Sequence, residues 1–218
     1  MEPQFLFINK PKGITSHDVV DRVREVTCER RVGHAGTLDP FATGLLIVGV
    51  GREATKRLSE FLKKDKTYRA VINLGATSTT DDLKGEIREN KCEVPTEAGV
   101  KEVLQKFTGE IEQLPPVYSA IKQRGIKAYE LARKGVEPER KLRGVHIYSI
   151  ELLRYKFPEV EIEVKVSSGT YIRALGRDIG EALGCGGYLT KLERTAIGDI
   201  TIDQSVSLDD IMHERPET

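Results

Sequence analysis

Arg30–Gly51, RRVGHAGTLDPFATGLLIVGVG, decides how the rest of the chain is read. Two arginines lead into a glycine-punctuated polar loop holding His34, Thr37 and Asp39, and the loop runs into an apolar stretch, Leu45–Val50. A short apolar run of this kind predicts a buried strand. A polar loop delivered by a rigid strand is where reactive groups are commonly placed. Asp39 precedes Pro40, which biases its backbone toward an extended or turn shape. On these residues alone two readings stay open: a turn Asp bonding its own backbone, or a catalytic carboxylate.

Around this stretch the chain alternates short strands and helices. Phe5–Asn9 predicts a strand closed by the turn signal Lys10-Pro11-Lys12-Gly13. Ser16 is placed to cap a helix with Val19, Val20, Val23 and Val26 on its apolar face. Ala54, Leu58, Phe61 and Leu62 mark a second helix, and Tyr68, Ala70, Ile72 and Leu74 alternate as in a strand. The polar stretch TSTTDDLKGEI reads as a loop. Thr96 predicts the cap of a helix bearing Val100, Val103, Leu104 and Phe107. After Pro115-Pro116 comes a basic loop and a short helix around Ala128–Lys134. Val145–Leu153 and Val160–Val166 predict paired strands, Ser167–Thr170 opens a helix with Ile172, Leu175, Ile179 and Leu183, and Ile197–Ile202 reads as a closing strand. The pattern points to an α+β fold with a mixed, mostly antiparallel sheet flanked by helices and loops. Without repeats, low-complexity segments or a clear linker, residues 1–218 read as a single domain with a short acidic tail from 199 to 218.

The formal net charge is zero, with 34 basic and 34 acidic residues. The distribution is uneven: the last twenty residues hold six acids and one base, leaving a net +5 on residues 1–198. Lys122–Arg143 carries eight bases against three acids, which is either a solvated face or a surface for a polyanion. Cys28, Cys92 and Cys185 are odd in number and far apart, with no CxxC, so neither a disulfide framework nor a zinc site is expected. MEPQFLFINK is not a signal peptide, and no apolar run approaches membrane-spanning length. A cytoplasmic protein that does not engage a membrane is expected.

Three polar clusters could carry chemistry: His34, Thr37 and Asp39; Lys66-Thr67-Tyr68 with Asp81-Asp82; and Ser167 to Arg173 at a strand-to-helix junction. Arg173 falls in a helix's first turn, where a cation opposes the helix dipole and calls for an anionic partner. Asp39 is the candidate, held in a bidentate fork. Tyr68 and Tyr171 can stack on a planar ligand or simply pack. The glycines of GHAGTLDP match neither phosphate-binding fingerprint, so no nucleotide cofactor is expected.

Gly33-His34-Ala35-Gly36-Thr37-Leu38-Asp39-Pro40, followed by Ala42, Gly44 and Leu45, resembles the signature of the TruB family of tRNA pseudouridine synthases. Lys10–Ser16 resembles the family's N-terminal motif, and Lys66-Thr67-Tyr68 with Gly75, Thr77, Thr80 and Asp82 another. Pro115–Lys122 with Gly125, Tyr129, Ala132 and Arg133 resembles a further one, as does Ser167–Arg173 with Asp178-Ile179-Gly180. The resemblance implies isomerisation of uridine 55 in the T-arm loop of tRNA, with the target base flipped into a pocket. It makes Asp39 the nucleophile, has Tyr68 stack on the base and act in proton transfer, and pairs Arg173 with Asp39. His34 would take the flipped base's place, Tyr171 and Leu192 would line the pocket, and Lys10, Thr37 and Asp82 would serve substrate binding. Lys122, Arg124, Lys127 and Arg133 would track the RNA backbone. It also implies no metal, no cofactor, no obligatory protein partner and a monomer.

Two departures stand out. Leu192-Glu193-Arg194-Thr195 stands where many family members have Leu-Arg-Arg-Thr, and a short form without the family's C-terminal RNA-binding (PUA) module is expected. Two other readings compete. One is the related guide-RNA-particle enzyme of ribosomal RNA; the other is an RNA chaperone without chemistry.

Overall fold

The computed structural model describes residues 4–118, 122–123, 126–127 and 138–213. Along the chain these form β1 (Gln4–Lys10), α1 (Ser16–Thr27), β2 (Val32–Ala35), β3 (Thr43–Val50), α2 (Gly51–Leu62), β4 (Lys66–Leu74), β5 (Ala76–Ser78) and β6 (Ile87–Glu89). There follow α3 (Glu97–Lys106), β7 (Gly109–Gln113), β8 (Lys122–Gln123), β9 (Ile126–Lys127), β10 (Arg143–Lys156), β11 (Glu159–Val166) and α4 (Ile172–Ala182). The chain ends in β12 (Gly187–Ile197), β13 (Ile200–Thr201), a 3-10 turn (Ile202–Gln204), β14 (Val206–Ser207) and α5 (Leu208–His213). Two compact units result: Met1–Arg69 with Lys191–Thr218, and Ala70–Thr190.

In the first unit the strand order is β14-β1-β3-β12, with β2 also on β3 and β13 on β12. β1 runs antiparallel to β3 from Gln4↔Val50 to Lys10↔Gly44. β12 meets the start of β3 in parallel at Glu193↔Thr43 and Arg194↔Gly44. The apolar run explains itself here. Leu46 and Val48 pack with Ile8, the α1 valines Val19, Val20 and Val23, and Leu208 and Ile211 of α5. Leu45 and Ile47, on the opposite face, pack with Ala35, Leu58, Phe5, Phe7 and Phe61. A strand covered on both faces has no solvent side to carry polar residues. The acidic segment after 199 is thus part of this unit, because Leu208 and Ile211 stand three apart on one helical face.

In the second unit β4, β11, β10 and β7 are adjacent in that order. β10 is antiparallel to both β11 and β7. Val160, Ile162, Val164 and Val166 of β11 are buried, as are Leu175 and Ile179 of α4 and Val100 and Leu104 of α3. The mixed, mostly antiparallel α+β architecture is as expected. Among the described residues no helix is long and apolar enough to cross a membrane.

Several local expectations are corrected. Thr15, not Ser16, caps α1, in a capping box with Asp18; the hydroxyl one residue earlier has the extended backbone that a cap requires. The TSTTDDLKGEI stretch contains β5 and leads to β6, paired Ala76↔Glu89 to Ser78↔Ile87. β7 is a strand where none was expected, because GEIEQ is too polar to announce one. Ile197–Ile202 is two strands, β12 and β13, folded over a turn in which Gly198 takes φ +57°. Cys92 and Cys185 form a disulfide although they lie 93 residues apart, a pairing that spacing cannot reveal; Cys28 is free and exposed. The helix expected around Ala128–Lys134 lies outside the described residues.

Candidate active site

The Asp39 loop joins β2 to β3 in the first unit, and its backbone is held at successive points. Arg194, 1 % exposed, donates from Nε to Leu45 O (2.8 Å) and from Nη2 to Gly36 O (3.0 Å), spanning the two stems of the loop. The Ser16 hydroxyl accepts from Leu38 N (2.8 Å) and faces Leu38 O (3.2 Å). Gly13 N donates to Pro40 O (2.7 Å), and Ala42 N closes a turn onto Asp39 O (3.0 Å). Asp39 itself is half-buried and Thr37 exposed. Gly44 is required at the stem: its φ is +101°, and a Cβ there would collide with the Arg194 carbonyl and lie 2.7 Å from Arg194 N.

Two further buried cations, both lysines, lie in the same unit. Lys10 is fully buried at the end of β1, with Nζ on Pro11 O (2.8 Å) and Ile14 O (2.9 Å). Lys66 opens β4 and donates to Leu62 O (2.6 Å) and Lys64 O, carbonyls at and beyond the end of α2. Burial, followed by the Arg194 charge, pushes its ammonium down to about 8. His34 on β2 is held below its usual pKa, first by burial and then by the Arg194 and His17 charges. Its Nδ1 is buried and has no hydrogen-bond partner among the described residues. Both causes favour the neutral ring over the imidazolium. Tyr68 and Leu192 are buried in β4 and β12 of the same unit.

The second unit holds the other predicted residues in an ionic cluster. Arg173, 6 % exposed, donates to Thr80 O (3.0 Å) and Tyr118 O (2.8 Å) and stands 3.7 Å from Asp82. Asp82 in turn accepts from Thr80 Oγ1 (2.7 Å) and Lys84 N (2.8 Å). Gln113, at the end of β7, grips Tyr171 from both sides: it accepts from Tyr171 N (2.8 Å) and donates to Tyr171 O (3.1 Å). One turn further on, Arg177 links Asp81 (2.9 Å), Asp178 (2.7 Å) and Leu114 O (3.0 Å). Burial raises the Asp81 and Asp178 carboxyls despite the Arg177 charge.

Of the predicted residues, Lys10, His34, Thr37, Asp39, Tyr68 and Leu192 belong to the first unit and Asp82, Tyr171 and Arg173 to the second, where Arg173 and Asp82 adjoin. Lys122 and Lys127 are register partners in the β8–β9 pair; Arg124 and Arg133 lie outside the described residues. Sequence reasoning gave no role to Ser16 on the loop, Arg194, Lys66, Gln113 or Arg177. Arg194 and Lys66 did stand inside noted motifs, but both have charged neighbours in sequence, so nothing local marks them as buried.

Comparison with known proteins places this geometry. One chain of the crystal structure of a Cbf5–Nop10–Gar1 complex shares the fold, with TM-score 0.73 and 32% identity over 94% of this chain; the match spans 52% of that longer chain. The profile described as TruB family pseudouridylate synthase (N terminal domain) matches residues 24–172, and that of the tRNA pseudouridylate synthase B C-terminal domain matches 173–216. A fold and loop of this kind define an RNA pseudouridylate synthase. A tRNA pseudouridine synthase B of Mycobacterium tuberculosis is 46% identical over 98% of this chain and 73% of its own length. Those of Dehalococcoides mccartyi (94% of this chain, 69% of its own) and Thermobifida fusca (96% and 74%) are 47% and 45% identical. The chain belongs to the TruB family.

Proposed function

We propose that this protein converts uridine 55 in the T-arm loop of tRNA to pseudouridine. Asp39 is the nucleophile, Tyr68 stacks on the flipped base and assists proton transfer, and Arg173 pairs with Asp39. His34 occupies the space the base leaves, Tyr171 and Leu192 line the pocket, and Lys10, Thr37 and Asp82 support substrate binding. Lys122, Arg124, Lys127 and Arg133 follow the RNA backbone. The chain acts as one catalytic domain and as a monomer, without an obligatory protein partner and in the cytoplasm. The reaction cuts the C1′–N1 bond, joins C1′ to C5, releases the C5 proton to solvent and leaves N1 to take up a proton in its place. It is redox-neutral and adds no external group, so a positioned carboxylate suffices for its covalent step, with no cofactor or metal.

The observation that carries this reading is the backbone grip on the Asp39 loop: a turn Asp needs no anchors at positions 36, 38, 40 and 45. Pre-organisation of that extent is what a nucleophile requires. The test is tritium release from a T-arm stem-loop carrying 5-tritiated uridine, with the modified position mapped. Wild type releases tritium, and Asp39→Asn and Asp39→Ala release none. Turnover by either variant ends the mechanism. The guide-RNA-particle reading draws on the 32% identity to the Cbf5-complex chain, against 45–47% to the tRNA synthases. Turnover of a naked transcript, without guide RNA or added protein, decides for tRNA.

A further inference from the structure

We infer that Ser16 is a positioning residue for Asp39, a role that deepens the proposed function and rests on Asp39 being the nucleophile. Its hydroxyl is not spent on the helix it begins: Thr15 caps α1 through Asp18 N (3.0 Å), and Asp18 answers at Thr15 N (2.7 Å). Ser16 is left as the first helical residue with its side chain 1 % exposed. From there Oγ takes the Leu38 amide at 2.8 Å and lies 3.2 Å from the Leu38 carbonyl. One side chain therefore does for Leu38 what a neighbouring strand does for a ladder residue, at a point of the chain that has no strand partner. Leu38 is the residue immediately before Asp39, and its own side chain is buried, 3 % exposed. On the other side of Asp39, Gly13 N holds Pro40 O at 2.7 Å.

The peptide that leads into Asp39 is thus held by Ser16 and the carbonyl of the next residue, Pro40, by Gly13, both from the stretch that ends β1 and begins α1. That segment touches neither flank through charge, so its contribution is geometric. Removing the Ser16 oxygen leaves the Leu38 amide without its acceptor and the Leu38 carbonyl, which belongs to the Leu38–Asp39 peptide, without its hydroxyl donor. The Leu38–Asp39 peptide can then rotate, and the carboxylate loses its aim while the rest of the site keeps its contacts.

The experiment is single-turnover pseudouridine formation by Ser16→Ala in the full chain, on a T-arm stem-loop transcript, well below the melting temperature. The expected result is a rate constant lowered about 10- to 100-fold at saturating enzyme, the scale of a small misplacement of a reacting group. The half-saturating concentration should change less than twofold. Val23→Ala, a core truncation beneath the same helix, is the stability control: it lowers the melting temperature at least as far and keeps the wild-type rate. A wild-type rate for Ser16→Ala overturns the inference, and so does a loss that Val23→Ala reproduces. Asp39→Asn is run in parallel. If it is inactive and Ser16→Ala is fully active, only the inference fails; if Asp39→Asn is active, the nucleophile reading fails with it.

Discussion

Replacing Gly44 by alanine tests whether the β3–β12 contact holds the stem of the Asp39 loop. The glycine has φ +101°, and an added Cβ would overlap the Arg194 carbonyl and lie 2.7 Å from Arg194 N and 3.0 Å from its carbonyl carbon. Ordinary contact with the carbonyl oxygen would require the strands to part by about 1 Å. The Arg194 guanidinium, now 3.0 Å from Gly36 O and 2.8 Å from Leu45 O, would be carried to the edge of hydrogen-bonding range or beyond it. Losing charged hydrogen bonds of this kind costs about 1.5–3 kcal/mol, in addition to about 1–3 kcal/mol for a non-glycine residue at that φ. Gly109 separates the two costs: its φ is +104°, and a Cβ there meets no atom within 4 Å. Gly109→Ala carries the backbone cost alone. For a chain of this size 1 kcal/mol moves the midpoint by about 2–4 °C. Thermal unfolding followed by circular dichroism should therefore place Gly44→Ala about 3–12 °C below Gly109→Ala. Equal midpoints would refute the idea that Arg194 and the close approach at Gly44 hold the loop.

Lys66 gives a pH signature. Its folded-state pKa of about 8 lies below the ordinary lysine value of 10.5, so between these values the unfolded chain binds more protons and stability rises with pH. The midpoint of wild type relative to Lys66→Met should climb from pH 8 to pH 10, and a flat difference would count against burial of the ammonium. Arg177→Met should cost about 3–5 kcal/mol by leaving Asp81 and Asp178 without their cation. Because burial already raises both carboxyls, the folded variant should take up protons as pH falls, so the deficit measured by urea unfolding should narrow from pH 7 toward pH 4. Thiol titration of the unreduced protein should find one reactive thiol, Cys28, and three after denaturation with reductant; three without reductant would contradict the Cys92–Cys185 pairing.

The elements read correctly from sequence are those in which one physical rule dominates. β3 was legible because both its faces are covered, which forces an unbroken apolar run; β11 because one face is, which forces alternation. α3 carries its cap, Thr96, one residue before its first turn. Failures arose where two residues competed for one role or where the partner lay far along the chain. Thr15 and Ser16 are both good caps, and only the backbone angles choose between them. Arg173 at a helix start reads as a cation that calls for an anionic partner, with Asp39 as the candidate. Its acceptors within its own unit, Thr80 O, Tyr118 O and Asp82, lie 93, 55 and 91 residues away and leave no local pattern. The same holds for Arg194, whose acceptors lie 149 and 158 residues back. This division has a consequence for how such a site is found. The residues that do chemistry announce themselves by type in a loop, whereas those that aim them are polar groups in otherwise apolar settings, each satisfying carbonyls or amides of a distant segment. Ser16 belongs to the second kind: its sequence signal is a second hydroxyl where the helix needs only one.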